Sequence, residues 1–266
     1  MAAGAVAGSL GAMLGIGGGV FLIPLLNVGL GLPFKTASGI SLMTVIATSN
    51  VVAASAASRR VVNLRLGMLL QVAAVAGGLS GALIVESLEV RTLYIVFASV
   101  TAVIAVVMLS RLDRRNVILD SSIDPGALGG RFYEDESGRE VVYRVRRLPA
   151  AFGVSLGGGV VSGLLGIGGG ILQVPALNAW CGVPMRVAAA TTASMIGITA
   201  LGSAPIYYAR GHIAAPLAAA AVLGVLAGSR LGLWYGARAR AKKLKLLMAL
   251  VLAAVAVIYF YQSLSA

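Results

Sequence analysis

The chain has 266 residues, 59% of them hydrophobic and 11% charged, with a mean hydropathy of +0.94. So few charges cannot coat a water-soluble globule, whose charged share is about 25%. The formal net charge of +12 fits the Lys and Arg that bilayer proteins gather in cytoplasmic loops; no soluble basic face is left to bind nucleic acid.

In chain order, the first element is Ala3–Leu30, an apolar segment interrupted by Gly15-Ile16-Gly17-Gly18-Gly19. A helix rich in small hydroxyls follows at Lys35–Ser58, then two plainer helices at Leu66–Val85 and Thr92–Ser110. Stretches of about 18 or more apolar residues cross a hydrocarbon layer of about 30 Å as helices. Arg111–Pro149 is polar and holds most of the acidic residues, and its alternating runs around Ser137-Gly138 predict a small β-hairpin in water. A disordered linker is the other reading of that segment. The order then recurs: a broken segment at Phe152–Cys181, interrupted by Gly166–Gly170, a hydroxyl-rich helix at Arg186–Tyr208, and helices at Ala214–Tyr235 and Lys245–Leu264. The N-terminus lacks the basic start of a cleaved signal peptide. Cys181 is the single cysteine and reads as a small buried hydrophobe.

The recurrence is a repeat in one register. With Gly15 placed on Gly166, Pro24 meets Pro175, Asn27 meets Asn178, Gly31 meets Gly182 and Pro33 meets Pro184. Lys35 then meets Arg186, Arg59 meets Arg210, Gly77 meets Gly228 and Gly81 meets Gly232, with no gap. Residues 1–110 and 150–266 therefore read as two copies of a membrane repeat, joined by a cytoplasmic loop at 111–149. Loop charges choose between two topologies. If every segment crosses once, Lys and Arg divide almost evenly between the two sides. If each glycine-broken segment enters and returns, only Lys35, Arg91 and Arg210 stay on one side and nearly all the others fall on the opposite, cytoplasmic side. The expected fold is thus an all-α polytopic membrane protein of two inverted repeats, each a re-entrant hairpin plus three transmembrane helices.

Half of a broken segment reaches only about the middle of a bilayer, so both glycine clusters belong near the midplane. Freed backbone groups survive there only inside protein or along a wet cavity. The half-helix that follows each cluster points its unbonded amides and the positive end of its dipole at that place. Transporters with broken helices hold anions in this way. The expected substrate-binding residues are Gly17, Gly18 and Gly19 with Gly168, Gly169 and Gly170. Such clusters also serve simple close packing of helices. Ser41 and Thr192 pair across the copies and carry hydroxyls that either donate to an anion or bond back to their own helix. Asn27 and Asn178 also pair, and either satisfy the broken backbone or face the ligand. Gln173 has Leu22 as its counterpart, which makes any site asymmetric. His212, the single histidine, and Arg230 belong at membrane interfaces. No carboxylate pair or metal-ligand cluster appears, so neither a catalytic residue nor a cofactor nor a metal is expected.

The segments "AMLGIGGG" and "GLLGIGGG", each followed by Pro-Leu/Ala-Leu-Asn and then Gly-x-Pro, together with "ASGIS", "AATTAS" and "GSRLG" at Gly228–Gly232, make the chain resemble the TauE/SafE, sulfite exporter-like, membrane permeases. The resemblance implies secondary transport of small anions, among them sulfite, sulfoacetate and related organosulfonates. The expected partners are a small anionic substrate and the lipid bilayer of the inner (plasma) membrane, not nucleic acid; a homo-oligomer stays open. Two rival readings are a membrane scaffold or assembly factor that docks partners on the basic loop, and a passive anion channel.

Overall fold

The computed structural model of the chain describes residues 1–14, 16–58, 61–110, 124–134, 138–238 and 241–265. Gly15, Arg59, Arg60, the start of the polar segment and Ser137 lie outside the described residues. The first copy comprises α1 (Ala2–Leu14), α2 (Gly19–Leu30), α3 (Phe34–Ser58), α4 (Leu64–Ile84) with a 3-10 turn at Val85–Ser87, and α5 (Val90–Ser110). The second comprises α6 (Leu148–Leu165), α7 (Gly170–Ala179), α8 (Met185–Ala209), α9 (Ala215–Arg238) and α10 (Ala241–Ser265). Between them, β1 (Gly130–Glu134) and β2 (Arg139–Tyr143) form an antiparallel hairpin that pairs Gly130 with Tyr143 and Glu134 with Arg139.

Among the described residues, six stretches are long and apolar enough to cross a membrane: Phe34–Ser55, Leu64–Ser87, Val90–Val107, Leu148–Leu165, Met185–Ala209 and Ala215–Tyr235. The set differs from the sequence expectation. Leu148–Leu165, expected as half of a re-entrant segment, is itself of spanning length because α6 starts earlier than Phe152, at a Pro in its first turn. The corresponding α1 is shorter, and the apolar stretch of α10 is Ala249–Leu264. Helices α3 and α8 lie at the centre, with 61% and 72% of their apolar windows buried, against 33% for the span of α5. Leu83, Val103, Leu223, Val257 and Phe260 are exposed, which suits a surface solvated by lipid chains.

Packing pairs one copy with the other. Helix α1 lies on α9 and α4 on α6, which are the same pairing with the copies exchanged; α3 meets α8, and α5 meets α10. Glycine makes the two long crossings possible. A methyl group at Gly8 would lie 2.6 Å from the Val225 carbonyl oxygen, and methyls at Gly228 and Gly232 would collide with the backbone carbonyls of Ala5 and Ser9. On the other pair, methyls at Gly77 and Gly81 would collide with the Leu156 and Val160 carbonyls. Lipid tails are as apolar as leucine, so close backbone approach and dispersion hold such helices together in place of a hydrophobic drive. This accounts for the alignment of Gly77 with Gly228 and of Gly81 with Gly232.

The polar segment is anchored to the membrane bundle at Asn63. Its Nδ2 donates to the Leu128 carbonyl at 2.7 Å and to the Tyr143 hydroxyl at 2.9 Å, while its Oδ1 caps α4 by accepting from Leu66 N–H at 3.0 Å. Its own N–H donates to Thr191 Oγ1 at 2.9 Å. Burial pushes the Tyr143 phenol above its ordinary pKa, so it stays protonated. Arg146 N–H donates to the Cys181 carbonyl at 2.8 Å; burial also raises the pKa of that cysteine's thiol, which keeps it in the unreactive form.

The glycine crossings generate a signed prediction. Gly153 on α6 has nothing within 4 Å of where a methyl would go, so Gly153→Ala stabilises the protein by up to about 1 kcal/mol through helix propensity. Gly228→Ala destabilises it by about 1–3 kcal/mol through overpacking. Thermal unfolding of both purified variants in one detergent should move the transition in opposite directions; shifts of the same sign would refute the crossing.

Candidate functional site

The two glycine clusters adopt the same backbone path. Gly17 and Gly168 have φ of 86° and 83°, and Gly18 and Gly169 have φ of 72° and 73°. These are left-handed conformations that glycine reaches without the steric cost a side chain incurs. The turn places Gly18 and Gly169 as the N-caps of α2 and α7, with no side chain capping either. Phe21 and Leu22 N–H both donate to Gly18 O at 3.0 Å, and Leu172 and Gln173 N–H both donate to Gly169 O at 3.2 Å. Among the described residues, the N–H groups of Gly169, Gly170 and Ile171 have no acceptor.

Pro24 and Pro175 fall inside α2 and α7. The helices begin at Gly19 and Gly170, so each proline withholds a donor from the carbonyl four residues back, Val20 or Ile171. The far ends of both half-helices are closed alike. Leu32 and Val183 N–H return to Leu26 and Leu177 carbonyls at 3.1 Å, past Gly31 and Gly182 at φ 67° and 74°. Asn27 Nδ2 donates to Leu32 O at 2.8 Å and Asn178 Nδ2 to Val183 O at 2.9 Å. The two amides thus bind the loop backbone at the end opposite the glycines. Tyr259 Oη, 3.4 Å from Asn27 Oδ1, completes the first of these closures.

The clusters meet at the centre of the molecule. A methyl at Gly19 would lie 2.6 Å from Ser41 Oγ and 3.1 Å from Ile167 Cα. Val45 and Ile196, which correspond in the repeat, fill the space between the turns. A methyl at Gly17 would lie 2.7 Å from Ile196 Cδ1 and 3.3 Å from Val45 Cγ1; one at Gly168 would lie 2.6 Å from Val45 Cγ1 and 3.5 Å from Ile196 Cβ. Both residues are buried, and neither stood out in the sequence, because an apolar residue in an apolar helix carries no signal.

The expected hydroxyl pair is not equivalent. Ser41 Oγ donates to Gly166 O at 2.7 Å, tying α3 of the first copy to the turn of the second. Thr192 Oγ1 is buried without a hydrogen-bond partner. Several neighbours bond back to their own helix: Thr44 to Ser41 O, Thr48 to Thr44 O, Ser194 to Thr191 O and Thr199 to Met195 O. Tyr207 Oη lies 2.9 Å from Gly163 O and 3.0 Å from Leu164 O, serving the carbonyls at the end of α6. Ser38, Ser155, Ser162 and both polar ends of Gln173 are buried with no partner. Each such group costs about 1–3 kcal/mol, and inside lipid no water relieves it.

A separate charged cluster lies at one end of the bundle. Lys35 Nζ is 3.4 Å from Glu86 Oε2, Arg210 Nη1 is 3.9 Å from Glu86 Oε1, and His212 Nε2 contacts the same Oε1. Among the described residues, no group of three or more His, Cys, Asp or Glu is placed to hold a metal ion.

The family model described as Sulfite exporter TauE/SafE matches residues 1–259. Among curated proteins, the chain is similar to the probable membrane transporter protein YunE of Bacillus subtilis (strain 168), at 24% identity over 238 residues, covering 86% of this chain and 84% of that one. No solved structure matches the chain.

The roles of the paired hydroxyls separate by measurement. Ser41→Ala removes the bond to Gly166 O and leaves a buried carbonyl, which costs about 1–3 kcal/mol. Thr192→Val removes a hydroxyl that has no partner and should leave stability unchanged or raised. Thermal unfolding of the two variants checks this, and equal losses would show that Thr192 has a structural bond.

Proposed function

The chain belongs to the sulfite exporter TauE/SafE family, and from that premise we propose that it is a secondary transporter moving a small oxyanion, such as sulfite, sulfoacetate or a related organosulfonate, across the plasma membrane by alternating access. The observation that carries the reading is the meeting of two duplicated glycine turns in the buried centre, each feeding its half-helix from an uncapped N-terminus. Each half-helix brings about half a positive charge to that point. An anion is thereby attracted without a buried lysine, whose own charge would be expensive at that depth. Gly17–Gly19 and Gly168–Gly170 form the cradle, with Thr192 and Ser41 beside it, while Asn27 and Asn178 hold the far loops of the half-helices.

Inverted topology suits this mechanism, since two related halves that exchange roles provide two equivalent end states. Lys35 begins α3 and Arg210 follows α8, yet both reach Glu86 at the end of α4. If every glycine-broken segment crossed once, Lys35 and Arg210 would stand on opposite faces of the membrane. Their shared partner supports two re-entrant segments and two copies of opposite orientation. In that arrangement the hairpin of β1 and β2 is cytoplasmic, and the Lys35–Glu86–Arg210–His212 cluster is on the outer face. A reporter fused after Leu264 should be active only outside the cytoplasm; a cytoplasmic signal would rule out this topology.

Flux measurements test the transport itself. Proteoliposomes holding the wild-type protein should take up sulfite or sulfoacetate at rates that saturate with substrate, at carrier rather than channel turnover. Leucine at Gly18 and Gly169 faces a left-handed backbone that costs about 1–2 kcal/mol per residue. Its Cβ would lie 2.8 Å from Ala7 O at the first site and 2.9 Å from Gly158 O at the second. Gly18→Leu with Gly169→Leu should lower flux by about tenfold or more, about 1.4 kcal/mol in the barrier, in protein that still elutes as one species. Unchanged flux in that protein would exclude the cradle.

A further inference from the structure

Resting on the transport reading above, we propose that within the two-turn cradle the oxyanion takes its side-chain contacts on one flank only, in a donor-lined pocket that Gln173, Ser162 and Ser155 form with the start of α7. Gln173 is 1% exposed, Ser162 0% and Ser155 1%. None of their side-chain polar atoms has a hydrogen-bond partner. The three are neighbours: a methyl at Gly158 would lie 3.4 Å from Gln173 Cγ and 3.3 Å from Gly169 O, and one at Gly169 would lie 3.5 Å from Ser162 Cβ. Ser155 and Ser162 are two helical turns apart on one face of α6, with Gly158 between them.

The first copy has the same uncapped amides but none of these side chains. In the repeat register Ser155 falls on Gly4, Ser162 on Gly11 and Gln173 on Leu22. Leu22 is fully buried, and a methyl at Gly11 would collide with the backbone of Gly18. That turn is closed on itself and offers hydrocarbon where the second offers an amide and two hydroxyls. The three positions thus differ together, in the direction of one polar lining.

The sign of the ligand follows from which groups are left over. Several acceptors at the second turn are already served: Gly163 and Leu164 carbonyls by Tyr207, Gly166 O by Ser41, and Ser162 O by Gly166 N–H; the Ile171 carbonyl, which Pro175 deprives of its helical donor, is not. The groups without partners are donors in excess: the amides of Gly169 to Ile171, two hydroxyls and the Gln173 NH2. A small anion with several acceptor oxygens complements them. Of the spare acceptors, Gln173 Oε1 suits a hydroxyl of Ser155 or Ser162, or a proton on the bound oxyanion. Oxygen-ligated cations would face the positive end of α7 and are disfavoured.

Equilibrium binding of radiolabelled sulfite, and separately of sulfoacetate, to the purified full-length protein tests this. The wild type should bind one anion per chain. Gln173→Leu, which installs the residue of the first copy, and Gln173→Glu, which keeps the shape but adds negative charge, should each weaken binding by roughly tenfold or more, the scale of a lost hydrogen bond to a charged group. Leu22→Gln should leave affinity within about threefold, with thermal unfolding confirming that all variants are folded. Wild-type affinity in folded Gln173→Glu, two anions per chain, or a loss of affinity in Leu22→Gln but not in Gln173→Leu would overturn the one-flank pocket while leaving transport intact. A wild-type protein that neither binds nor moves either anion would overturn the transport reading and this site with it.

Discussion

A helix broken by a left-handed glycine turn in the buried centre of an apolar bundle leaves backbone groups without helical partners, and apolar surroundings offer none in return. Much that is distinctive in this molecule serves that constraint. The two glycine turns lie against each other at the centre rather than at the periphery. Helices α3 and α8, the most deeply buried, lie against them, and the outer helices face lipid. Carbonyls exposed at the end of α6 are taken up by side chains from elsewhere, Tyr207 and Ser41. Amides at the start of α7 are not. The constraint therefore ends in polarity: a small group of unpaired amides and side-chain donors is left at the buried centre beside α7.

Glycine does two different jobs here, and position separates them. At Gly17, Gly18, Gly168 and Gly169 the backbone itself requires it, with φ between 72° and 86°. At Gly8, Gly77, Gly81 and Gly228 the backbone is ordinary helix and the missing methyl makes room for a neighbouring helix. The first kind shapes the centre and the second fastens α1 to α9 and α4 to α6. Because these fastenings join one copy to the other, neither copy is a separate package. The repeat is legible along the chain but interleaved in space.

Periodicity and register carried much of this information. The six helices α3, α4, α5, α8, α9 and α10 lie close to their sequence-predicted limits, and the hairpin around Gly138 was legible from alternation alone. That a half-helix follows each glycine cluster was legible, whereas the left-handed residue that sets its first turn was not, because no periodicity reports φ. Helix α6 is longer than the sequence reading allowed because its first turn, with Pro149, precedes Phe152, where the apolar run was taken to begin. Asn27 and Asn178 were visible as a pair, but pairing cannot say which end of a half-helix a side chain serves. Ser155 and Ser162 went unremarked because serine in an apolar helix is unexceptional; only their differences from Gly4 and Gly11, read together with Gln173 against Leu22, single them out.

Val45 and Ile196 have a consequence of their own. Each belongs to a different copy, yet each touches Gly17 and Gly168. Two hydrocarbon wedges are thus driven into one joint from opposite partners. In the proposed transport cycle, rotation of either half would carry its wedge across the glycines of the other, coupling the two turns as meshed gears. The bulk of the wedges would then set how far the halves travel before the centre opens to either side.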